Sequence, residues 1–383
     1  MKPKFRIATA AVAIALATAG CSAATTSTSS KDPGVSKQAD EALAEIQGQV
    51  LSKGPNGEEP ESADAAELTA DEVSKVKAMN ATAAIVMHYG GNDWATAQIA
   101  GLKSEFTKLG ITLIANTDAN FKPDLQVSQL QTVMTKKPDI VVSIPTDPVA
   151  TASAYKAAAA AGAKLVFMDN VPNGMTAGKD YVSDVSADNY GNGVVSAYEM
   201  VKALGGQGKI GAIFHQADFF VTKQRYQGFT DTIKKFPKIK IVATTGIAGP
   251  DFAGQAQVAA SAMLTKHPDL AGIWGVWDVP AEGIMAAARA AGNQNLKIAT
   301  EDLGTNVAIA LAKNKLVVGL GAQRPFDQGV TEAKLGALAL LGKSTPAYVA
   351  VPALPVDHSN VLKAWQQVYH AAPPASVADS FQK

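Results

Sequence analysis

Asp169 and Asp302 each end a short apolar run, in KLVFMDN and LKIATED, and stand 133 residues apart. An aspartate where a strand ends suits one of two tasks. It caps the following helix, or it accepts hydrogen bonds from a ligand, and charge-assisted bonds are about twice as strong as neutral ones. Two further loops mix polar and aromatic residues: Gly91-Asn92-Asp93-Trp94 and His215-Gln216-Ala217-Asp218-Phe219.

Covalent and metal chemistry find little equipment. His88, His215, His267, His358 and His370 show no pair spacing for a metal, and H-E-x-x-H is absent. His215 reads as a structural histidine rather than a ligand contact. Cys21 is the sole cysteine, which excludes an internal disulfide and a thiolate cluster. Cys–His catalysis therefore has no nucleophile in the body of the chain. Gly336 to Ser344 resembles a phosphate loop but has five residues between its glycines instead of four, and it ends a helical run, as a helix C-cap would. Gly191-Asn-Gly193 lacks the third glycine of a dinucleotide fingerprint. No catalytic residue, metal or cofactor is assigned.

The elements that position these residues form a regular series from about residue 80. Runs such as AAIVMHY, DIVVSIP, KLVFMDN, IGAIFHQ, LAGIWGV and LVVGLGA alternate with Ala-rich helical segments. Continuous apolar strands alternating with helices imply an α/β fold with parallel sheets covered on both faces. Trp274, inside such a run, reads as core. An internal repeat divides the series. Ile85 and Ile213, Pro138 and Pro268, and Asp169 and Asp302 recur in one order at offsets of 128, 130 and 133. Two similar doubly wound lobes follow, with Asp169 and Asp302 at equivalent strand ends facing one crevice. Ligands of open α/β sheets lie beyond the carboxyl ends of the strands, and clefts between domains commonly hold small molecules.

The totals agree. A chain of 383 residues, 47% hydrophobic and 18% charged, has room for two domains and a large core. The first twenty residues carry Lys2, Lys4 and Arg6; without them 31 basic residues face 34 acidic ones, so nucleic acid is not indicated as a partner. That basic start, the apolar run Ile7 to Ala17 and Thr18-Ala19-Gly20 before Cys21 make a signal peptide at 1–20, too short for a membrane span. It resembles a bacterial lipoprotein signal, with Thr18 where Leu is usual. This implies lipidation of Cys21 and anchoring to the outer face of the cytoplasmic membrane. Residues 21–79 then read as a polar tether and a helical extension. Ser36 opens one helix with Ala39, Leu43, Ile46 and Val50 on a face, KGPNGEEPES interrupts, and Thr69-x-x-Glu72 has capping-box spacing. A spacer and a pad on one lobe are both open as its role.

From about Thr82 to Asp357 the chain resembles the periplasmic binding proteins of the ribose-binding type, which serve ABC importers. The resemblance rests on IPTDP (144 to 148), FMDN (167 to 170), SADNYGNG (186 to 193), RYQGF (225 to 229), KHPDL (266 to 270) and AQRPFDQG (322 to 329) in that order. It implies a hinge of three segments near 187, 324 and 353. The first lobe is then 80–186 plus 324–352, and the second 187–323 plus 353–383. It also implies ligand contacts at Asn92, Trp94, Asp169, Asn170, Arg225, Phe252, Asp302 and Gln323, with the bulky Trp277 beside them. An indole can stack on the C–H face of a sugar, and Arg225 can brace a carboxylate. Phe252 also suits packing under its loop, and Arg225 a helix surface.

Three positions depart from ribose binders: Ile144 and Trp277 stand where Asn is usual, and Asn170 where Arg is usual. The expected ligand is a polyhydroxy compound of pentose or tetritol size other than ribose. The expected partners are an ABC permease and the membrane, the chain being a monomer. A receptor for a sugar-like signalling molecule, docking on a sensor, is the alternative. An exported enzyme is a third class, which turnover of a bound sugar would reveal.

Overall fold

The computed structural model describes residues 33–381; the signal segment and Cys21 lie outside the described residues. Strands β1 (Thr82–Met87), β2 (Thr112–Asp118), β3 (Ile140–Ser143), β4 (Lys164–Met168) and β5 (Ser183–Ala187) form most of one sheet. Strands β6 (Gly208–His215), β7 (Ile239–Ile247), β8 (Leu270–Gly275), β9 (Lys297–Glu301) and β10 (Val317–Ala322) form most of a second. Then β11 (Tyr348–Val351) completes the first sheet, order β11-β5-β4-β3-β1-β2, and β12 (Leu354–Val356) the second, order β12-β10-β9-β8-β6-β7. Every pairing is parallel except β10 with β12. The two orders correspond strand for strand, as the repeat requires, although β11 runs parallel to its neighbour and β12 antiparallel. The chain passes between the sheets three times, at 187–189, 322–325 and 351–354.

Helices α1 (Pro33–Ile46) and α2 (Ala70–Ala78) precede the first sheet. Helices α3 (Asp93–Lys108), α4 (Pro123–Met134) and α5 (Ala152–Ala160) alternate with its strands, and α6 (Asn189–Leu204) opens the second lobe. There α7 (Phe220–Ile233), α8 (Phe252–Lys266), α9 (Asp278–Ala290) and α10 (Thr305–Ala312) alternate with strands. Helix α11 (Pro325–Leu340) packs back on α3, and α12 (Val361–Tyr369) and α13 (Ala375–Ala378) end the chain. Helices on both faces bury strands such as β3 and β5 completely, which is why these read as unbroken apolar or small-residue runs. Gly342, with φ 71°, follows α11 in the left-handed conformation, so the near-miss phosphate loop is a helix end.

In the second lobe α6 and α7 cross at glycines. A Cβ on Gly193 would lie 2.1 Å from the Arg225 carbonyl, and one on Gly228 would lie 2.1 Å from that of Tyr190. This backbone contact sets the depth of Arg225.

The extension touches both lobes. Helix α1 runs from Pro33, ahead of the expected Ser36, and stops at Ile46 because Gly48 turns left-handed at φ 78°; Val50 lies beyond it. Ala39 and Leu43 join the second lobe's core. The backbone amides of Leu51 and Ser52 and the Ser52 hydroxyl then donate to the Asp188 carboxylate at 2.8, 2.9 and 2.7 Å. Asp188 lies between β5 and α6 and also accepts from the Gly191 amide at 2.8 Å. Further on, Glu61 pairs with β11 of the first lobe, and α2 starts with the capping box Thr69–Glu72 and pairs Glu72 with Lys343. Asp188→Ala leaves four donors without their acceptor, so a loss of about 3 kcal/mol is expected in chemical denaturation. An unchanged midpoint would show that the strap does not hold the crossover.

Candidate functional site

The carboxyl ends of the two sheets face each other across a cavity of about 60 Å³. Since a single water needs about 10–15 Å³ on this measure, the space suits a small molecule and excludes an oligosaccharide. The polar wall comes from loops at strand ends. Asp169 follows β4 and Asp302 follows β9; both are left-handed, at φ 61° and 64°, a conformation Asp tolerates better than most residues. Each is anchored alike: the Asp169 amide donates to Val185 at 3.0 Å and the Asp302 amide to Gly321 at 3.1 Å, each on the neighbouring strand.

Arg225, on α7 and only 3% exposed, donates through Nη1 to Asp302 Oδ2 at 3.0 Å and to the Val276 carbonyl at 3.2 Å. Its Nε donates to Asn189 Oδ1 at 3.0 Å. Gln323 Nε2 donates to Asp302 Oδ1 at 2.9 Å, while its Oε1 has no partner in the protein. On the other side, Ser186 Oγ donates to Asp169 Oδ1 at 2.5 Å and accepts from Asn189 Nδ2 at 3.0 Å. One hydrogen-bonded chain thus runs from Asp169 through the crossover to Gln323. Burial pushes the Asp169 carboxyl up to about 6, against the pull of Ser186 and Arg225.

The remaining wall is aromatic. Asn92 caps α3 by accepting from the Ala95 amide at 2.8 Å, which leaves its NH₂ for a ligand. Trp94, the second residue of α3, is buried with its Nε1 unpartnered. His88 stacks on Phe219 with centroids 5.6 Å apart, and Phe121 meets His88 edge-on at 4.7 Å. Trp277 stands edge-on to His215 at 5.6 Å, and His215 Nδ1 lies 3.2 Å from the Thr222 hydroxyl.

Burial, with His215 close by, pushes His88 down to about 3, and burial pushes His215 to about 4. Both imidazoles are therefore neutral at ordinary pH. Exposed imidazole protonates near 6.5. Parting the lobes would expose these imidazoles, so below that pH closure would release protons and affinity would fall as pH drops. In His88→Phe one such release is gone. Between pH 6.5 and 5 its affinity should fall less steeply than the wild type's, by up to tenfold per pH unit. Calorimetric titrations at four pH values check this, and equal slopes would remove His88 from closure.

Of the residues expected from sequence, Asn92, Trp94, Asp169, Arg225, Trp277, Asp302 and Gln323 line the cavity together. Asn170 and Phe252 do not. Phe252 lies behind the wall, 4.8 Å from Trp277 and 5.3 Å from Phe121, under its own loop. The Asn170 amide is taken up by protein: Nδ2 donates to the Pro145 carbonyl at 3.1 Å, and Oδ1 accepts from the Phe220 amide at 3.2 Å. The second contact crosses the cleft.

It has a counterpart, the Thr305 amide donating to Asp93 Oδ2 at 2.6 Å. Helices α7 and α10 have no side-chain cap of their own, at Phe219 and Gly304. Their caps come from the opposite lobe, so parting the lobes would break both contacts. Asn170→Ala or Asp93→Ala should speed ligand release about 5- to 10-fold, a cap being worth about 1 kcal/mol, with little change in association rate. Stopped-flow traces showing slower association and unchanged release would refute this.

His88, Tyr89, Phe121, Phe219, Val221 and Thr222 also line the cavity, beyond the set expected from sequence. His88 directly follows β1 and carried a readable strand-end signal. Phe121 carried none, because its position depends on a left-handed backbone at φ 53°.

Two similar lobes joined by three crossovers, with a buried polar chain between them, define a bilobed architecture. A family model described as periplasmic binding protein domain matches residues 83–344, more than half of the chain, and the chain belongs to that family. Similar proteins include the D-apiose import binding protein of Actinobacillus succinogenes, 24% identical over 66% of this chain and 80% of that one. The ribose import binding protein RbsB of Salmonella typhimurium is 25% identical over 74% and 90%. Among solved structures, an ABC transporter solute-binding protein from Agrobacterium vitis with bound allitol is 26% identical. It has a TM-score of 0.67 and covers 75% of this chain and 98% of its own. One from Mycobacterium smegmatis with bound glycerol is 26% identical with TM-score 0.67, over 73% and 95%.

Proposed function

We propose that this chain captures a small sugar or sugar alcohol, of tetritol to pentose size and other than ribose, and delivers it to the permease of an ABC importer. The observation that carries this is the buried chain Asp169–Ser186–Asn189–Arg225–Asp302–Gln323 along a cavity with aromatic walls. Fixed charged acceptors and donors beside rings are what an uncharged polyhydroxy ligand needs. The size limit follows from the cavity of about 60 Å³. The exclusion of ribose follows from Ile144, Trp277 and the diverted Asn170. Import is supported by the related binding proteins for apiose and ribose. In this reading the lobes are 80–186 with 324–352 and 187–323 with 353–383, joined at three hinge segments. The protein acts as a monomer held outside the cytoplasmic membrane by lipid on Cys21, and Cys21→Ser should abolish palmitate labelling.

The function is tested by a thermal-shift screen of tetritols, pentitols, pentoses and hexoses. A ligand that binds only the folded state stabilises by RT ln(1 + [L]/Kd), about 2.7 kcal/mol at a hundredfold excess over Kd. No stabilisation by any polyol would sink the proposal.

A further inference from the structure

The cavity walls are chemically divided, and the division restricts the ligand further; this inference rests on the polyol reading above. Asp169, Arg225, Asp302 and Gln323 gather on one hydrogen-bonded chain. Alongside them, Trp94, Ile144, Phe219 and Val221 belong to one continuous apolar cluster, with Phe121 packed against it. All five also line the cavity. Beside them, His88 Nδ1 and Trp94 Nε1 are buried without a protein partner, and Asn92 keeps its NH₂ free of the cap bond. The His88 and Trp94 rings stand 6.0 Å apart at 87°, close enough to share one oxygen. Phe121, Ile144, Phe219 and Val221 themselves carry no polar side-chain atom and offer an oxygen nothing.

Phe121 is held there at a cost. It follows Asn120 in the left-handed region, at φ 53° after 47°, where a bulky residue is an outlier. Two consecutive residues in that conformation aim the ring across the cleft, 5.8 Å from Phe219 and 5.9 Å from His215. Strain of this kind persists only where surrounding structure enforces it, and it clusters at ligand clamps. The nearest imidazoles are neutral, since burial pushes their pKa down. They therefore add no charge to that side.

We propose that the ligand is a deoxy or C-methyl polyol. Its hydroxyls meet Asp169, Arg225, Asp302 and Gln323, and a carbon bearing no oxygen seats against Phe121, Phe219 and Ile144. A hydroxyl at that carbon would be buried without a partner, which costs more than the contact gains.

The test is isothermal titration calorimetry on matched pairs of pentose size: 5-deoxy-D-ribose with D-ribose, 5-deoxy-L-arabinose with L-arabinose, and 1-deoxy-D-xylulose with D-xylulose. At least one deoxy member should bind about tenfold or more tighter than its parent, the scale on which apolar pockets discriminate a hydroxyl. Phe121→Asn suits the left-handed backbone and should bring that ratio below threefold. Ile144→Asn, on a different element, should do the same. Parents that bind as tightly as their deoxy partners would overturn the inference and leave the polyol reading intact. If no member of any pair binds while other polyols do, the inference also falls; if no polyol binds at all, both fall.

Discussion

Asp302→Ala should lower affinity for the ligand more than a hundredfold and remove about 3 kcal/mol of stability. Both effects come from the same two bonds. Asp302 accepts from Arg225 at 3.0 Å and from Gln323 at 2.9 Å, and Arg225 is 3% exposed. Without the carboxylate, a buried guanidinium loses its bonded counter-charge, and breaking a buried pair costs about 3–5 kcal/mol. The ligand at once loses a charged acceptor and the orientation of both donors. Asp302→Asn keeps the shape and tolerates φ 64°, so it isolates the charge. It should melt closer to wild type while still binding at least tenfold more weakly. Calorimetry and thermal melts on the three proteins separate the effects. Wild-type affinity in Asp302→Ala would remove the polar wall from the account.

Gly193→Ala should be among the most damaging small substitutions in the second lobe, costing about 3 kcal/mol. Its Cβ would lie 2.1 Å from the Arg225 carbonyl and 2.8 Å from the Phe229 amide, both backbone atoms that cannot swing aside. Helices α6 and α7 must part, and Arg225 moves with α7. Affinity should therefore fall together with stability, although residue 193 touches no ligand. Chemical denaturation combined with calorimetry checks this. A protein as stable as wild type would show that the crossing is looser than drawn.

Much of this architecture was legible in the residues. The recurrence of Pro138 at Pro268 and of Asp169 at Asp302 reported the duplicated lobe, and the two sheets share one strand order. Asp169 and Asp302 proved equivalent down to their left-handed backbones. Positions set by local chemistry also read well: Thr69 and Glu72 form the expected capping box, and Trp274 lies in the core with its indole bonded to Ser196.

What depended on distant partners did not read. Asn170 looks like any strand-end amide, but the Phe220 backbone of the other lobe claims it. Phe121 enters the site only through a backbone conformation its side chain disfavours. The strap from Gln47 to Ser62 shows Pro, Gly and charge, with no hint that Leu51 and Ser52 would find Asp188, 137 and 136 residues away. The resemblance brought Phe252 forward, and packing under its loop set it behind the wall.

Two lobes that close on a small polyol must settle at one separation when the ligand binds. Val149 in the first lobe and Val258 on α8 in the second are 67% and 72% exposed. Cys21 is the only native cysteine, so spin labels at these two sites in a Cys21→Ser chain report one distance. Without ligand, double electron–electron resonance should show a distribution that includes separations differing from the closed one. A saturating polyol from the thermal-shift screen should collapse it to the single closed distance. A distribution that stays unchanged at saturation would contradict closure.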